Sequence, residues 1–164
     1  MDGTDYLAGV QALFDGEVMG ERLLLAMLAA AKSPRDAAHF AAILQLETET
    51  KARLRPLMLK LGLGLAETAD LRQVPARVAG YVDHGWRDYV AATAVHLRGV
   101  LARYEAIAAL GPPEDQPILQ AVVRHEAALL HWAEAEALGD SEDSLAAVTE
   151  MLVFKLAPPP PARV

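Results

Sequence analysis

The sequence predicts an all-α fold: four long helices bundled as two antiparallel hairpins, a long crossover between the hairpins, and a short C-terminal helix. Three observations predict it. The chain of 164 residues is 53% hydrophobic but only 5% aromatic, and its dominant alanine and leucine favour helices over a sandwich or barrel. Apolar residues recur at i, i+3 and i+4 through four stretches of roughly 25 residues each. Gly, Pro and Ser signals separate these stretches by two tight links and one long one.

The first helix is expected from Thr4 to Ala31, with Tyr6, Val10, Leu13, Phe14, Leu24, Met27 and Leu28 on its apolar face. Gly9, Gly16 and Gly20 weaken it, each by up to about 1 kcal/mol relative to Ala, or let a neighbouring helix come close. Lys32, the capping Ser33, first-turn Pro34 and Asp36 mark a stop and restart. The second helix runs to Leu61, with Phe40, Ile43, Leu44, Leu54, Leu57 and Met58 inward, a kink or interruption expected from Pro56, and Gly62 and Gly64 as stops. Residues 63–85 are irregular, with room for a short helix at 75–83. The third long helix spans Trp86–Leu110 and ends at Gly111-Pro112-Pro113. The fourth runs from Glu114 or Pro117 to Leu138, closed by Gly139. Ser141 is placed to cap a fifth helix over 142–156. One domain, 1–156, is expected, with residues 157–164 as a disordered Pro-rich tail. The 23 residues between the hairpins are too many for a simple up-and-down link, and they suffice to travel the roughly 38 Å of a 25-residue helix.

Composition narrows function. With no cysteine, a disulfide scaffold, an iron–sulfur cluster and a thiolate zinc site are excluded. A net charge of −7 argues against nucleic acid as a partner. No signal peptide is read at MDGTDYLAG and no uncharged apolar run spans a membrane, so a cytoplasmic location is expected.

Three carboxylates fall on apolar stripes at about 100° of rotation per residue. Glu17 lies among Val10, Leu13 and Leu24, Glu47 among Ile43, Leu44 and Leu54, and Glu126 among Leu119, Val122 and Leu129, whereas Glu49 points away. Glu17 and Glu47 each stand 15 residues from Lys32, and His96 and Glu126 each stand 15 residues from Gly111. Fifteen helical residues rise about 22 Å, so the four should meet at mid-height, with His96 at the edge of its stripe and Thr93 nearer the centre. Buried carboxylates facing one another need a proton, a cation or a metal ion, and oxygen and imidazole donors suit iron, manganese or zinc. A different rotation of the second helix would instead leave Glu47 in a solvated pair with Lys51.

Two hairpins, a long crossover and mid-helix glutamates resemble the ferritin-like superfamily, which includes bacterioferritins and rubrerythrins, over residues 4–139. That resemblance implies a Glu from the first and third helices and Glu-x-x-His from the second and fourth. Glu17, Glu47 and Glu126 match; Thr50 and Leu129 stand where histidines belong, and His96 stands where a Glu belongs. The resemblance therefore implies a bundle with a degenerate di-iron motif, read as a non-catalytic homodimer with a vestigial carboxylate core and no cofactor. The alternative is a metal-dependent oxidoreductase with an atypical iron or manganese site on Glu17, Glu47, His96 and Glu126, with Tyr89 or Tyr104 as nearby redox groups. His125 and His131 are expected on the flanks of the fourth helix, solvated, with the His125 ring near the centre as the alternative its place beside Glu126 leaves open. His39 and His84 are expected on the surface, and Glu134 and Glu136 on a solvated face. Trp86, Tyr89, Tyr104 and Trp132 are expected as packing at the bundle ends.

Overall fold

Ser33 sets the first turn: its hydroxyl oxygen accepts the Asp36 amide at 3.0 Å and Pro34 occupies the first helical turn, which satisfies one of the donors a helix start leaves unpaired. The computed structural model describes residues 3–139 and 143–155. Its helices are α1 (Gly3–Ala29), α2 (Pro34–Lys60), α3 (Val74–His84), α4 (Trp86–Leu110), α5 (Gln116–Leu138) and α6 (Ala146–Met151). α1 packs along α2 and α4 along α5, forming two hairpins, and α6 lies against α5 and α2.

Side-chain bonds fix the crossover. Near the middle of its path, Glu67 pairs with Arg22 and with Lys51, both at 2.7 Å. At its end, Tyr81 donates to Asp36 at 2.5 Å and accepts the Lys32 amide at 2.8 Å, which places it at the α1–α2 turn. α4 then begins beside Phe40, with the Trp86 and Phe40 ring centroids 5.5 Å apart. At the opposite end, Lys60 meets Asp115 at 2.5 Å and Tyr6 donates to the same carboxylate at 2.9 Å. Residues 61–85 thus travel the length of the bundle, and α2 and α4 run parallel. The expected crossover helix is present as α3, bounded by Gly85 at φ 85°, a conformation that glycine adopts without strain.

Two expectations at helix ends are corrected. The interruption expected at Pro56 is absent, since α2 continues through it; the proline is on the exposed side, so the carbonyl it leaves unpaired faces water rather than the core. α6 is far shorter than 142–156, because the chain turns extended at Leu152 and donates the Val153 and Phe154 amides to Glu49 at 2.6 and 3.1 Å. The proposed cap Ser141 and the Pro-rich tail lie outside the described residues. No helix among the described residues is long and apolar enough to cross a membrane.

The core is divided. One apolar cluster gathers Leu24, Met27, Phe40, Leu46, Val90, Leu129 and Trp132 toward the α1–α2 turn. The other gathers Val10, Phe14, Leu54, Met58, Tyr104, Leu119 and Val122 toward the α4–α5 turn. Between them, at mid-height, the long helices turn polar residues inward.

Candidate functional site

Those polar residues are Glu17 on α1, Glu47 and Thr50 on α2, and His125 and Glu126 on α5, all buried. Glu17 and His125 are each 1% exposed, so their charge has no water to rely on. Glycines let the helices close around them. A Cβ on Gly16 would stand 2.0 Å from the Tyr104 hydroxyl, and one on Gly20 would stand 2.5 Å from the Glu47 carboxyl carbon. The close approach anticipated for these glycines is therefore with the residues of the centre itself.

One donor atom from each of Glu17, Glu47 and His125 falls in a group whose members lie within 4.8 Å of one another. His125 Nδ1 is 2.6 Å from Thr50 Oγ1 and 3.6 Å from Glu17 Oε2, while Nε2 is 3.8 Å from Glu47 Oε2. Glu17 Oε2, His125 Nε2 and Glu126 Oε1 are buried without a hydrogen-bond partner. Three orphaned buried atoms in one place are unusual in a native core, where such atoms are nearly all satisfied.

The electrostatics follow from this crowding. Burial first, then Glu47 and Glu126, push the Glu17 carboxyl well above the usual range. Burial pushes Glu126 up to about 7, against the pull of His125. His125 is held above its ordinary value because Glu47 and Glu126 outweigh the burial that opposes its charge. Tyr104 is pushed up by burial, then by Glu17, Glu126 and Glu47. The carboxyls and Tyr104 oppose ionisation in one another, whereas the carboxylates favour the charged form of His125.

Glu17, Glu47 and Glu126 are all buried and line one cavity, but the converging donor atoms come from Glu17, Glu47 and His125, and neither Glu126 nor His96 is among them. His96 is exposed, and Thr93 takes the inward position on α4. The imidazole of the centre is His125, expected on a solvated flank. Its signal is in the sequence: it stands three residues after Val122 and four before Leu129, the spacing of an inward position. Lys51 does not pair with Glu47; it binds Glu21 and Glu67. Glu49 does face away from the centre, but the C-terminal segment buries it.

Two further expectations are overturned. His39 is buried, accepting at Nδ1 from Trp132 Nε1 at 2.9 Å. Glu136 is buried under α6, bound by Ser144, Arg35 and Trp86. Trp86, Tyr89 and Trp132 do pack at the α1–α2 end with Phe40 and Tyr81, whereas Tyr104 lies against the carboxylates.

A cavity of about 720 Å³ opens on this centre and is lined by Glu17, Glu47, Glu126, Tyr89 and Tyr104, with Arg77, His96 and Arg103. No family model, no curated protein and no solved structure matches the chain.

Proposed function

We propose that this chain is a ferritin-like bundle whose centre holds one divalent transition-metal ion, iron or manganese, on Glu17, Glu47 and His125, and that it does not assemble a paired-iron site. The observation that carries the reading is the convergence of orphaned buried donors, Glu17 Oε2 and His125 Nε2, beside Glu47. A cation there neutralises two carboxylates that otherwise cannot both ionise cheaply. The donor set fits: two carboxylates and an imidazole, without thiolate, suit iron, manganese or zinc.

The surroundings support the same reading. Thr50 Oγ1, 2.6 Å from His125 Nδ1, would accept a proton held there and leave Nε2 free to ligate once the ring is neutral. Ligating histidines ordinarily hold their second nitrogen in this way. Thr50 stands where the family resemblance puts a histidine; here the imidazole comes from α5 instead, one residue before Glu126. Leu129 leaves the other histidine position apolar. Three donors then serve one ion. When bound, the ion would supply Lewis-acid or one-electron chemistry; the chain's residues would hold it, with His125 oriented through Thr50 and the two apolar clusters above and below.

A second reading is favoured by the raised Glu17 and Glu126 carboxyls: a non-catalytic core in which protons, not a metal, balance the charge. Elemental analysis of protein purified without chelator separates the two. The metal reading expects close to one equivalent of iron or manganese per chain, lost in Glu17→Gln and His125→Gln variants that keep their helical spectrum. Substoichiometric metal unaffected by those variants supports the protonated core and overturns the metal centre.

A further inference from the structure

The cavity over the centre has an unusual rim for a chain of net charge −7. Its inner lining is the three buried carboxylates and apolar side chains; its exposed side carries Arg77 from α3 and His96 and Arg103 from α4. The arginine ion pairs of the molecule use Arg22, Arg35, Arg53, Arg72 and Arg98. Among the described residues, Arg77 and Arg103 form no ion pair within 4.0 Å, although both bear on the buried Glu126 carboxyl. Both line the cavity with His96, which burial and then these two charges push below its ordinary value. Of the acids on the crossover side, Asp70 is paired with Arg72 at 2.6 Å, while Asp15 accepts from the neutral Gln11 amide at 3.1 Å. A second hollow of about 320 Å³ between α3 and α4 shares Arg77, Thr93 and His96 with the first and adds one acid, Asp88.

We propose that this cavity binds an amphipathic organic carboxylate, its headgroup between Arg77 and Arg103 at the rim and its apolar chain against Leu97 and Val100 toward the centre. The volume lies within the range of about 300–1,000 Å³ typical of small-molecule sites, which are mostly apolar with a few placed polar groups. Guanidinium groups are the side chains best suited to hold a carboxylate in a plane of paired hydrogen bonds, and neutral His96 adds a donor. A monoanion suits two arginines that also face three buried carboxylates; a phosphate would bring more negative charge toward them. The proposal deepens the reading of the centre, whose accessible side the ligand fills, but binding needs the arginines and not the ion.

The test is calorimetric titration of the full chain with octanoate at pH 7, once after chelator treatment and once after loading with Mn(II). One octanoate should bind per chain in both forms, and Arg77→Gln/Arg103→Gln should weaken it at least ten-fold in both. Arg98→Gln, which alters the surface pair with Glu134 away from the cavity lining, should leave it unchanged. Gly99→Phe should block binding while the bundle folds, because Gly99 lines the cavity and an added Cβ there meets nothing within 4 Å. Octanol or octyl phosphate binding as tightly as octanoate overturns the proposal, as does no octanoate binding or binding indifferent to the double variant. Octanoate binding only to the Mn(II)-loaded chain shows a carboxylate ligating the ion and also overturns it, while leaving the metal centre standing. Octanoate binding to a chain that takes up neither Mn(II) nor Fe(II) supports this site and removes the metal centre.

Discussion

Glu126→Gln should stabilise the chelator-treated bundle at pH 8 and leave it nearly unchanged at pH 4. In the folded chain the Glu126 carboxyl titrates at about 7 rather than 4.5, chiefly through burial. A carboxyl raised in this way supports the fold fully below the unfolded value, and that support disappears as pH rises through 7. At 1.36 kcal/mol per pH unit, holding the charged form in the core at pH 8 costs about 3 kcal/mol. Glutamine keeps the shape without the charge, so most of that penalty should be recovered, less what is lost with the attraction to His125. A gain of about 2–3 kcal/mol moves the midpoint of a chain this size by roughly 4–12 °C. The assay is thermal melting by far-UV circular dichroism at pH 4, 6 and 8 with chelator present. Wild type should lose stability across that range more steeply than the variant. Parallel pH profiles, or a variant that melts lower at pH 8, would refute the argument that burial keeps Glu126 protonated.

Three further outcomes follow from single contacts. Thr50→Val removes the partner of His125 Nδ1 and should weaken Mn(II) binding roughly 10- to 100-fold, as loss of an orienting partner does, read by competition with a chelating dye. Gly20→Ala places a methyl 2.5 Å from the Glu47 carboxyl carbon; that flexible end must swing away, so Mn(II) affinity should fall more than stability does, compared by titration and melting. Glu136 is held below its ordinary value because Ser144, Arg35 and Trp86 outweigh the burial that opposes its charge. Its contribution is present above pH 4.5 and lost as pH falls further; Glu136→Gln should cost about 1–3 kcal/mol at pH 7 and flatten the acid limb of the melting profile.

What the sequence reveals is what local chemistry decides. The third long helix is read as Trp86–Leu110 and forms over those residues, because a glycine precedes it and Gly111-Pro112-Pro113 follows. The parallel placement of α2 and α4 follows from the length of residues 61–85 alone. Three buried glutamates lining one cavity follow from apolar spacing and equal arms. The misses lie where a distant segment changes a residue's surroundings. Glu136 and His39 read as surface residues, but α6 and the α5–α6 link place Ser144 on Glu136, and Trp132 and Trp86 close over His39. α6 stops early because Glu49, far away in sequence, accepts the amides that follow it. His125 and His96 exchanged roles for a different reason. Each lies beside a better-centred residue on its wheel, Glu126 and Thr93, and a wheel cannot say which flank the neighbouring helix covers. On α5 the covered flank holds Thr50, and His125 turns to meet it; on α4 the flank beyond Thr93 opens on the cavity rim.

The most direct test of the metal centre is anomalous diffraction from crystals grown with Mn(II), collected on both sides of the manganese edge. One anomalous peak per chain between Glu17, Glu47 and His125, absent in His125→Gln crystals, is the predicted result. Two peaks in the core would show a paired centre, and a core without a peak in crystals grown with Mn(II) and in crystals grown with Fe(II) would show that protons balance the buried carboxylates; either would contradict the account.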